Sequence, residues 1–153
     1  MKSIPPGRIV ADASFLISVA ERDQHALRFV GLLDRCEITA VNFGETCYKI
    51  EQKTGVQSSL TESTFTALGV SIVPVDVVHA RCFSMLKRVD HKTRTAQVGQ
   101  SVLRSLSLAD MVCLAHGLVN DLPVLTGDRH WTTLRSHGLN IDIFDYRDPE
   151  LTD

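Results

Sequence analysis

Four acidic residues stand out because each follows an apolar run or begins a helical pattern: Asp12, Glu45, Asp110 and Asp128. They are too far apart in the chain for a local rule to explain all four. A parallel α/β sheet could bring them together at the edge where its strands end. Two carboxylates about 4 Å apart repel by about 4 kcal/mol at an effective dielectric of about 20, so a cluster would take up protons or bind a cation. Carboxylates favour Mg²⁺ or Mn²⁺, which indicates metal-dependent phosphodiester chemistry.

Each acid also has a local explanation. Asp12 could cap the helix that follows the first strand. Glu45 and Asp110 could favour the dipoles of helices whose first turns they occupy. Asp128 could be an ordinary turn residue after Gly127. None of these explanations predicts a common edge, which favours the interpretation that takes the four together.

Strand and helix patterns alternate along the chain. The strands are predicted at 8–11, 36–41, 70–75, 122–126 and 139–144. One long helical pattern begins at Asp76 and continues to Val89, and the polar, basic stretch 90–100 predicts a mobile loop. Ser107 is predicted to cap the helix that carries Asp110. This alternation predicts an α/β fold with a mainly parallel sheet and helices on both faces.

Length and composition predict a single domain over residues 1–153, with a short leader, a core of about 8–145 and an acidic, frayed tail. Hydrophobic residues make up 44% and charged residues 22%, which is ordinary for a soluble globular protein. The net charge of −2 does not by itself indicate a nucleic-acid partner, but clustered carboxylates would mask cations elsewhere. The longest apolar stretch, 9–20, is broken by Asp12 and is too short to cross a bilayer, so no membrane role is expected.

The cysteines form no C-x-x-C pair, which argues against a zinc ribbon or a dithiol redox motif. They are Cys36, Cys47, Cys82 and Cys113. Each lies in or beside an apolar pattern, where a free cysteine behaves as a small hydrophobic residue. Reduced, structural cysteines predict a cytoplasmic protein.

The segments around the four acids resemble those of PIN-domain ribonucleases of the VapC toxin type. The matching segments are IVADASFLIS, TAVNFGETCYKI, LSLADMVCLAHG and LPVLTGDRHW, in the order and at the spacing usual in that family. The resemblance covers 9–144, and its most specific part is LSLAD followed by TGD. It implies a PIN-like three-layer α/β/α fold around a five-stranded parallel sheet.

The resemblance also implies a function. Asp12, Glu45, Asp110 and Asp128 would be the catalytic residues and would bind Mg²⁺ or Mn²⁺. RNA would be hydrolysed by an activated water, leaving a 5′-phosphate. The protein would be the toxin of a toxin–antitoxin pair, a homodimer held inactive by a small antitoxin.

Two hydroxyl residues match family positions near the metal. They are Ser14 and Thr126, whose alternatives are a helix cap and an ordinary strand-end threonine. Some relatives carry another acid after the last of the four. Here Arg129 and His130 stand there, so a second metal site is expected to be weaker. His130 could act near the scissile phosphate or be a surface residue.

RNA binding requires cations for its phosphates. The candidates are Lys87, Arg88, His91, Lys92, Arg94 and Arg104, together with Arg129. The alternative is a solvated loop. Trp131 could stack on an unpaired base, although packing against the sheet is the more common role of a tryptophan.

Two further classes of protein stay open. A phosphatase-like α/β domain also places an aspartate after its first strand, but the haloacid-dehalogenase type needs a second aspartate where this chain has Ser14. A non-catalytic PIN-like module that binds RNA or protein is the other alternative. The intact set of four acids argues against that module. Transfer, ribosomal and messenger RNA are all open as substrates.

Overall fold

The computed structural model of the protein describes residues 2–96 and 105–153. The described strands are β1 (Lys2–Ser3), β2 (Ile9–Ala11), β3 (Cys36–Thr39), β4 (Ser71–Val73), β5 (Val124–Thr126), β6 (Ile143–Asp145) and β7 (Leu151–Thr152). Five of them form a parallel sheet in the order β4-β3-β2-β5-β6. The predicted five-stranded parallel sheet is confirmed.

Helices connect the strands. They are α1 (Ala13–Ala20), α2 (Gln24–Leu27), α3 (Ala40–Thr54), α4 (Ser58–Ala67), α5 (Val77–Ala80), α6 (Phe83–Thr95), α7 (Leu108–Asn120) and α8 (Arg129–Leu134). Short 3-10 helices span Val30–Arg35 and Arg135–His137. The order of elements is the predicted alternation of strands and helices.

Two hydrophobic cores lie on opposite faces of the sheet. Side chains alternate along a strand, so Ile9 and Ala11 pack into one core while Val10, between them, packs into the other. Phe43 and other residues of α1 and α3 belong to the first core, and Leu114 of α7 belongs to the second. The three-layer α/β/α architecture predicted from the sequence is therefore confirmed.

Strand β3 is shorter than the strand predicted over 36–41. Helix α3 begins at Ala40, so Val41 is helical rather than part of the strand. Thr39 is the cap, and its hydroxyl oxygen accepts the N–H of Asn42 at 3.2 Å. A threonine that satisfies a free N–H at the helix start overrides the β-branched character of the segment.

The segment 76–100 is organised differently from the prediction. The single helical pattern from Asp76 is split into α5 and α6, with a break at Arg81–Cys82. The mobile loop predicted over 90–100 is wrong for Asp90–Thr95, because these residues form the last part of α6. Residues 97–100 lie outside the described residues. Asp90 and Thr93 are fully buried there, so tertiary packing stabilises a helix that its polar composition did not indicate.

The acidic tail is not frayed at Leu151–Thr152, contrary to the prediction. These residues pair in parallel with Lys2–Ser3, and Leu151 is buried. Arg28 adds a hydrogen bond from its Nη2 to the carbonyl oxygen of Leu151 at 2.5 Å. The two ends of the chain thus form a small second sheet.

None of the helices in the described ranges 2–96 and 105–153 is long and apolar enough to cross a membrane. All four cysteines are unpaired. Cys36, Cys47 and Cys113 are buried and Cys82 is half-buried, in agreement with the packing role predicted for them.

Candidate active site

Asp12 follows β2 and is the most enclosed of the four acids. Its backbone N–H continues the sheet by donating to the carbonyl oxygen of Leu125 at 2.9 Å. Its side chain makes no capping bond to α1. Instead, Oδ2 accepts hydrogen bonds from the hydroxyls of Ser14 at 2.7 Å and Thr126 at 3.0 Å. The capping explanations for Asp12 and Ser14 are therefore wrong, and both hydroxyls orient one carboxylate.

Burial raises the pKa of Asp12 to about 6. The two hydroxyls oppose this shift, while the negative charges of Asp110 and Glu45 add to it. A carboxylate held by hydroxyls in a buried position beside other acids requires a proton or a cation to balance its charge. Within the described residues, no donor contacts its Oδ1 atom.

Glu45 lies on α3 and faces the same group of acids. Since α3 begins at Ala40, Glu45 is beyond the first turn, and the helix-dipole explanation does not apply to it. Burial raises the pKa of Glu45, and so does the charge of Asp110, whereas Lys49 lowers it. Glu45 is exposed, so it can reach a ligand from the solvent side of the cluster.

Asn42 connects the helices that carry Glu45 and Asp110. It is fully buried, and its side-chain amide donates to the carbonyl oxygen of Ala109 at 3.0 Å. Its Oδ1 accepts from the hydroxyl of Thr39. The start of α3 is thus fixed against the start of α7. Sequence reasoning missed this positioning role; the only signal is a polar residue among apolar ones in VNFGE.

Asp110 lies in the first turn of α7. Ser107 caps this helix as predicted, and the two residues form a capping box. Its Oδ2 accepts the N–H of Ser107 at 2.7 Å, and the hydroxyl of Ser107 accepts the N–H of Asp110 at 3.1 Å. Burial raises the pKa of Asp110, the bonds to Ser107 lower it, and the charges of Asp128 and Asp90 raise it. This capping role engages one carboxylate oxygen of Asp110 and leaves the other available for a ligand.

Asp128 follows β5 and caps α8. Its Oδ1 accepts the N–H of His130 at 2.9 Å, and its own N–H donates to the hydroxyl of Thr126 at 3.0 Å. The turn role predicted as an alternative is present, and again it occupies only one carboxylate oxygen. Because the charge of Asp128 acts on Asp110, the fourth acid lies at the same edge as the others.

The buried thiol of Cys113 lies near the acidic cluster. Its pKa is raised well above the usual value by burial and then by the charges of Asp12, Asp110 and Glu45. The charges of these three acids therefore act on the same buried thiol. In the part of the chain that the structure describes, however, no group of three or more acidic, histidine or cysteine side chains is arranged so that it could hold a metal ion by itself.

These donors nevertheless fit a divalent ion. Mg²⁺ usually keeps several waters and is held by one or two carboxylates, so a closed protein cage is not required. The pKa values of Asp12, Glu45 and Asp110 are raised by burial and by one another's charges, and the Lys49 ammonium lowers only that of Glu45. The donor set consists of oxygen atoms, which suits Mg²⁺ or Mn²⁺ better than zinc.

Gly127, in the turn after β5, packs closely against the ring of Tyr146. A Cβ at Gly127 would lie 2.5 Å from the phenol oxygen of Tyr146, so no larger residue fits without displacing that ring. The N–H of Gly127 donates to the hydroxyl of Ser14 at 3.0 Å, and the hydroxyl of Tyr146 donates to the carbonyl oxygen of Ser14 at 3.2 Å. Tyr146 thereby supports the residue that orients Asp12.

Asp90 is a fifth acid near the site that sequence reasoning missed. It is fully buried, accepts the N–H of Leu106 at 3.1 Å through Oδ2, and has the Nε of Arg94 3.3 Å away. Nε2 of His130 lies 3.4 Å from its Oδ1. Its position directly after Val89, the last apolar residue of α6, was the only available signal. Since Asp90 is enclosed, it anchors this side of the site and cannot reach a ligand in solution.

The candidate RNA-binding residues differ in how freely they can meet a phosphate. Arg88, His91 and Lys92 are exposed on α6. The Lys87 ammonium donates to the carbonyl oxygen of Leu106 at 3.1 Å, and Arg94 faces Asp90.

The other predicted contacts lie around Asp128. Arg129 is exposed and lies 3.4 Å from Asp145, and Arg104 lies outside the described residues. The side chain of His130 is enclosed against Asp90, which contradicts the surface alternative. Trp131 is only 1% exposed and packs in the second core, so it is not available for base stacking.

Comparison with solved structures shows the same fold. FitAcB from Neisseria gonorrhoeae superposes with a TM-score of 0.61 at 18% identity, covering 90% of this chain and 97% of that one. VapBC2 from Rickettsia felis, bound to a DNA fragment from its promoter, gives 0.60 at 12% identity, covering 94% and 98%. A toxin–antitoxin complex from Klebsiella pneumoniae gives 0.58 at 15% identity, covering 78% and 86%. No curated protein matches the sequence.

The sequence itself matches the family described as the PIN domain over residues 9–135. This range contains β2 to α8 and all four acids. The match extends over most of the chain and agrees with the parallel sheet and its order of helices. The chain belongs to the PIN-domain family.

Proposed function

We propose that the protein is an endoribonuclease dependent on Mg²⁺ or Mn²⁺ and the toxin of a VapBC-type toxin–antitoxin pair. PIN domains are generally nucleases and typically use a divalent metal ion. The observation that carries the proposal is the buried carboxylate of Asp12, whose pKa of about 6 reflects burial beside Asp110 and Glu45. The charged form of such a carboxylate is unfavourable without a cation nearby, and the same carboxylate can bind a divalent ion.

Asp12 and Asp110 would hold the ion, with Glu45 and Asp128 beside it. When bound, a divalent ion supplies positive charge for the phosphate and lowers the pKa of an attacking water. Hydrogen bonds within the protein orient the carboxylates before an ion binds. Ser14 and Thr126 hold one oxygen of Asp12.

The remaining acids are fixed in a similar way. The N–H groups of Ser107 and His130 hold one oxygen each of Asp110 and Asp128. The free oxygens are then available for the ion and its waters. Exposed cations would guide the RNA. Arg88 and Lys92 on α6 and Arg129 beside Asp128 are exposed and would contact backbone phosphates.

The proposed partner follows from similarity in fold, and the proposed location follows from the cysteines. The matching structures are complexes named as toxin–antitoxin, VapBC and FitAcB assemblies. By analogy in fold we propose a small antitoxin as the partner and a homodimer as the assembly. Four unpaired cysteines support a cytoplasmic location.

The test is cleavage of RNA by the purified protein. Separate incubations with transfer, ribosomal and messenger RNA would be run with Mg²⁺, with Mn²⁺ and with a chelator. The expected result is cleavage with either metal and none with the chelator, with 5′-phosphate ends that can be ligated directly. Binding of RNA without cleavage would support the non-catalytic module instead. Hydrolysis of p-nitrophenyl phosphate without RNA cleavage would support the phosphatase-like alternative.

A further inference from the structure

Asp90 is a fully buried acid to which the proposed mechanism assigns no part. It lies on α6, and its two carboxylate oxygens face two different elements. Oδ2 accepts the N–H of Leu106 at 3.1 Å, and Oδ1 lies 3.4 Å from Nε2 of His130. A buried carboxylate needs such partners, because an isolated charge is unfavourable away from water. Asp90 therefore joins the residue before the cap of α7 to the first turn of α8.

The contact with Leu106 fixes the chain where it enters α7. Leu106 is buried, and its carbonyl oxygen accepts a hydrogen bond from the Lys87 ammonium at 3.1 Å. Lys87 and Asp90 are three residues apart and share a face of α6, so together they hold both polar groups of the Leu106 backbone. The next residue, Ser107, caps α7, and its N–H donates to Oδ2 of Asp110 at 2.7 Å. A shift of Leu106 would therefore move the group that orients Asp110.

The contact with His130 fixes the start of α8. The backbone N–H of His130 donates to Oδ1 of Asp128 at 2.9 Å, so this residue orients the fourth acid. Only 8% of its side chain is exposed. An ionised carboxylate can only accept a hydrogen bond, so Nε2 carries the hydrogen toward Asp90. Nδ1 is buried and has no hydrogen-bond partner among the described residues, which leaves Asp90 as the polar contact that holds the ring.

Arg94 balances the charge of Asp90. Its Nε lies 3.3 Å from Oδ2 of Asp90, although it makes no aligned hydrogen bond within the described residues. Burial raises the pKa of Asp110, and the charges of Asp128 and Asp90 add to that rise, so the three acids are within electrostatic reach of one another. Because the opposite charges of Asp90 and Arg94 lie side by side, their fields largely cancel at a distance. What Asp90 contributes to the site is therefore its hydrogen bonds.

We propose that Asp90 is a positioning residue that sets the separation of Asp110 and Asp128. One of its oxygens holds the segment that orients Asp110, and the other holds the residue that orients Asp128. This inference rests on the proposed metal-dependent function and makes the affinity of the site for a divalent ion depend on Asp90. The separation matters because Mg²⁺ requires near-ideal octahedral geometry, so displaced carboxylates bind it less well.

The test measures binding of Mn²⁺ rather than cleavage. Electron paramagnetic resonance would count free Mn²⁺ during a titration, and thermal melting would follow stability in the same samples. Asp90→Ala should weaken Mn²⁺ binding about tenfold, the lower end of the range typical for residues that orient metal ligands. Asp90→Asn should keep most of the affinity, because its amide oxygen still accepts the N–H of Leu106. Wild-type affinity in Asp90→Ala would overturn the proposal. An equal loss in both variants would assign the effect to charge and also overturn it.

His130→Ala tests one of the two contacts by itself. This variant keeps the backbone N–H that holds Asp128 and loses the ring that faces Asp90, while the bond from Leu106 to Asp90 stays. It should weaken Mn²⁺ binding in the wild-type background. It should have no further effect in an Asp128→Asn background, because two residues that act through the same interaction are not additive. An equal loss in both backgrounds would overturn the proposal, including where Asp90→Ala does not fold.

Thr93→Ala is the matched control. Thr93 is as fully buried on α6 as Asp90, but its hydroxyl donates to the carbonyl oxygen of Val89 at 2.8 Å, within the same helix. The variant should lower the melting temperature and leave Mn²⁺ affinity unchanged. A loss of affinity equal to that of Asp90→Ala would show general destabilisation and refute positioning.

RNA cleavage by the wild-type protein separates this inference from the proposed function. If the wild-type protein binds Mn²⁺ and responds to the Asp90 variants as expected but cuts no RNA, the nuclease function fails while the positioning role stands. If the wild-type protein binds no Mn²⁺, both fail.

Discussion

The hydroxyl of Thr126 donates to Oδ2 of Asp12 at 3.0 Å and accepts the N–H of Asp128 at 3.0 Å. The last residue of β5 therefore holds the acid that follows β2 and fixes the backbone of the acid that follows its own strand. This is possible because β2 and β5 are neighbours in the sheet. This one side chain therefore helps to orient two of the four acids.

Thr126→Val should raise the pKa of Asp12, because the hydroxyl bond lowers it. The pH at which RNA cleavage reaches half its maximum should shift upward. Loss of a group that orients a metal ligand typically costs about 10- to 100-fold in metal affinity or activity. Thr126→Ser keeps the hydroxyl and is the control; an equal shift in both variants would show that the shift does not come from loss of the hydroxyl bond.

Asp12→Asn or Asp110→Asn should abolish RNA cleavage while the fold is retained. Removing a metal ligand should lower activity more than removing a residue that only orients a ligand. The expected loss of activity is therefore at least on the order of 100-fold. Cleavage would be measured on labelled RNA with Mn²⁺, and the fold by circular dichroism.

Asp121→Asn is the matched control for these two variants. It removes the same charge at the opposite end of α7, where the φ of 51° tolerates asparagine. This variant should cleave RNA at the wild-type rate. Wild-type rates in the Asp12 and Asp110 variants as well would exclude the acidic site.

Stability without metal should fall as the pH rises. The pKa of Asp12 is about 6 in the folded protein, against an ordinary value of 3.8 for an aspartate. The folded state therefore binds the proton more tightly than the unfolded state. This contribution is complete below about pH 4 and is lost as the pH rises through 6, at a cost of about 3 kcal/mol. Urea unfolding across this range would show the effect, and Asp12→Asn should flatten it.

Mn²⁺ should reverse that loss. At 100 times its dissociation constant a ligand stabilises the folded state by about 2.7 kcal/mol, which corresponds to roughly 5–10 °C in melting temperature for a chain of this size. The rise should be present at pH 7.5 and small at pH 5, where a proton occupies Asp12. An equal rise in the Asp12→Asn variant would place the ion elsewhere.

Arg88→Ala combined with Lys92→Ala should weaken RNA binding without changing stability, because both side chains are exposed. The slope of log affinity against log salt should decrease by about 0.7 for each phosphate that the variant no longer neutralises. Arg94→Ala should instead destabilise the fold, because Arg94 faces the buried carboxylate of Asp90. An unchanged salt slope in the double variant would exclude α6 from the RNA path.

Gly127→Ala should destabilise the protein by about 1–3 kcal/mol, because the new Cβ would overlap the Tyr146 ring. Cleavage should fall as well, since the displaced ring supports Ser14. Adding Tyr146→Phe removes the nearest atom and should restore part of the stability. Thermal melting of the three proteins would measure this, and a melting temperature equal to wild type in Gly127→Ala would refute the overlap.

The sequence was sufficient for the architecture. Apolar periodicity distinguishes strands such as Ile9–Ala11 from helices such as α7, and strand alternation predicts a parallel sheet with the acids at one edge. The capping box of Ser107 and Asp110 was also predictable, because its partners are three residues apart. These features depend on interactions between neighbours in the chain.

Tertiary structure alone decided the details of the site. The bonds of Asp12 to Thr126 and of Asn42 to Ala109 join residues far apart in the chain, and no local pattern specifies them. The same holds for Asp90, whose burial makes a predicted loop helical, and for the pairing of the two chain ends. Hydrogen bonds and burial between distant residues arise only once the two cores have packed, so the sequence determined which acids exist and the fold determined what holds them.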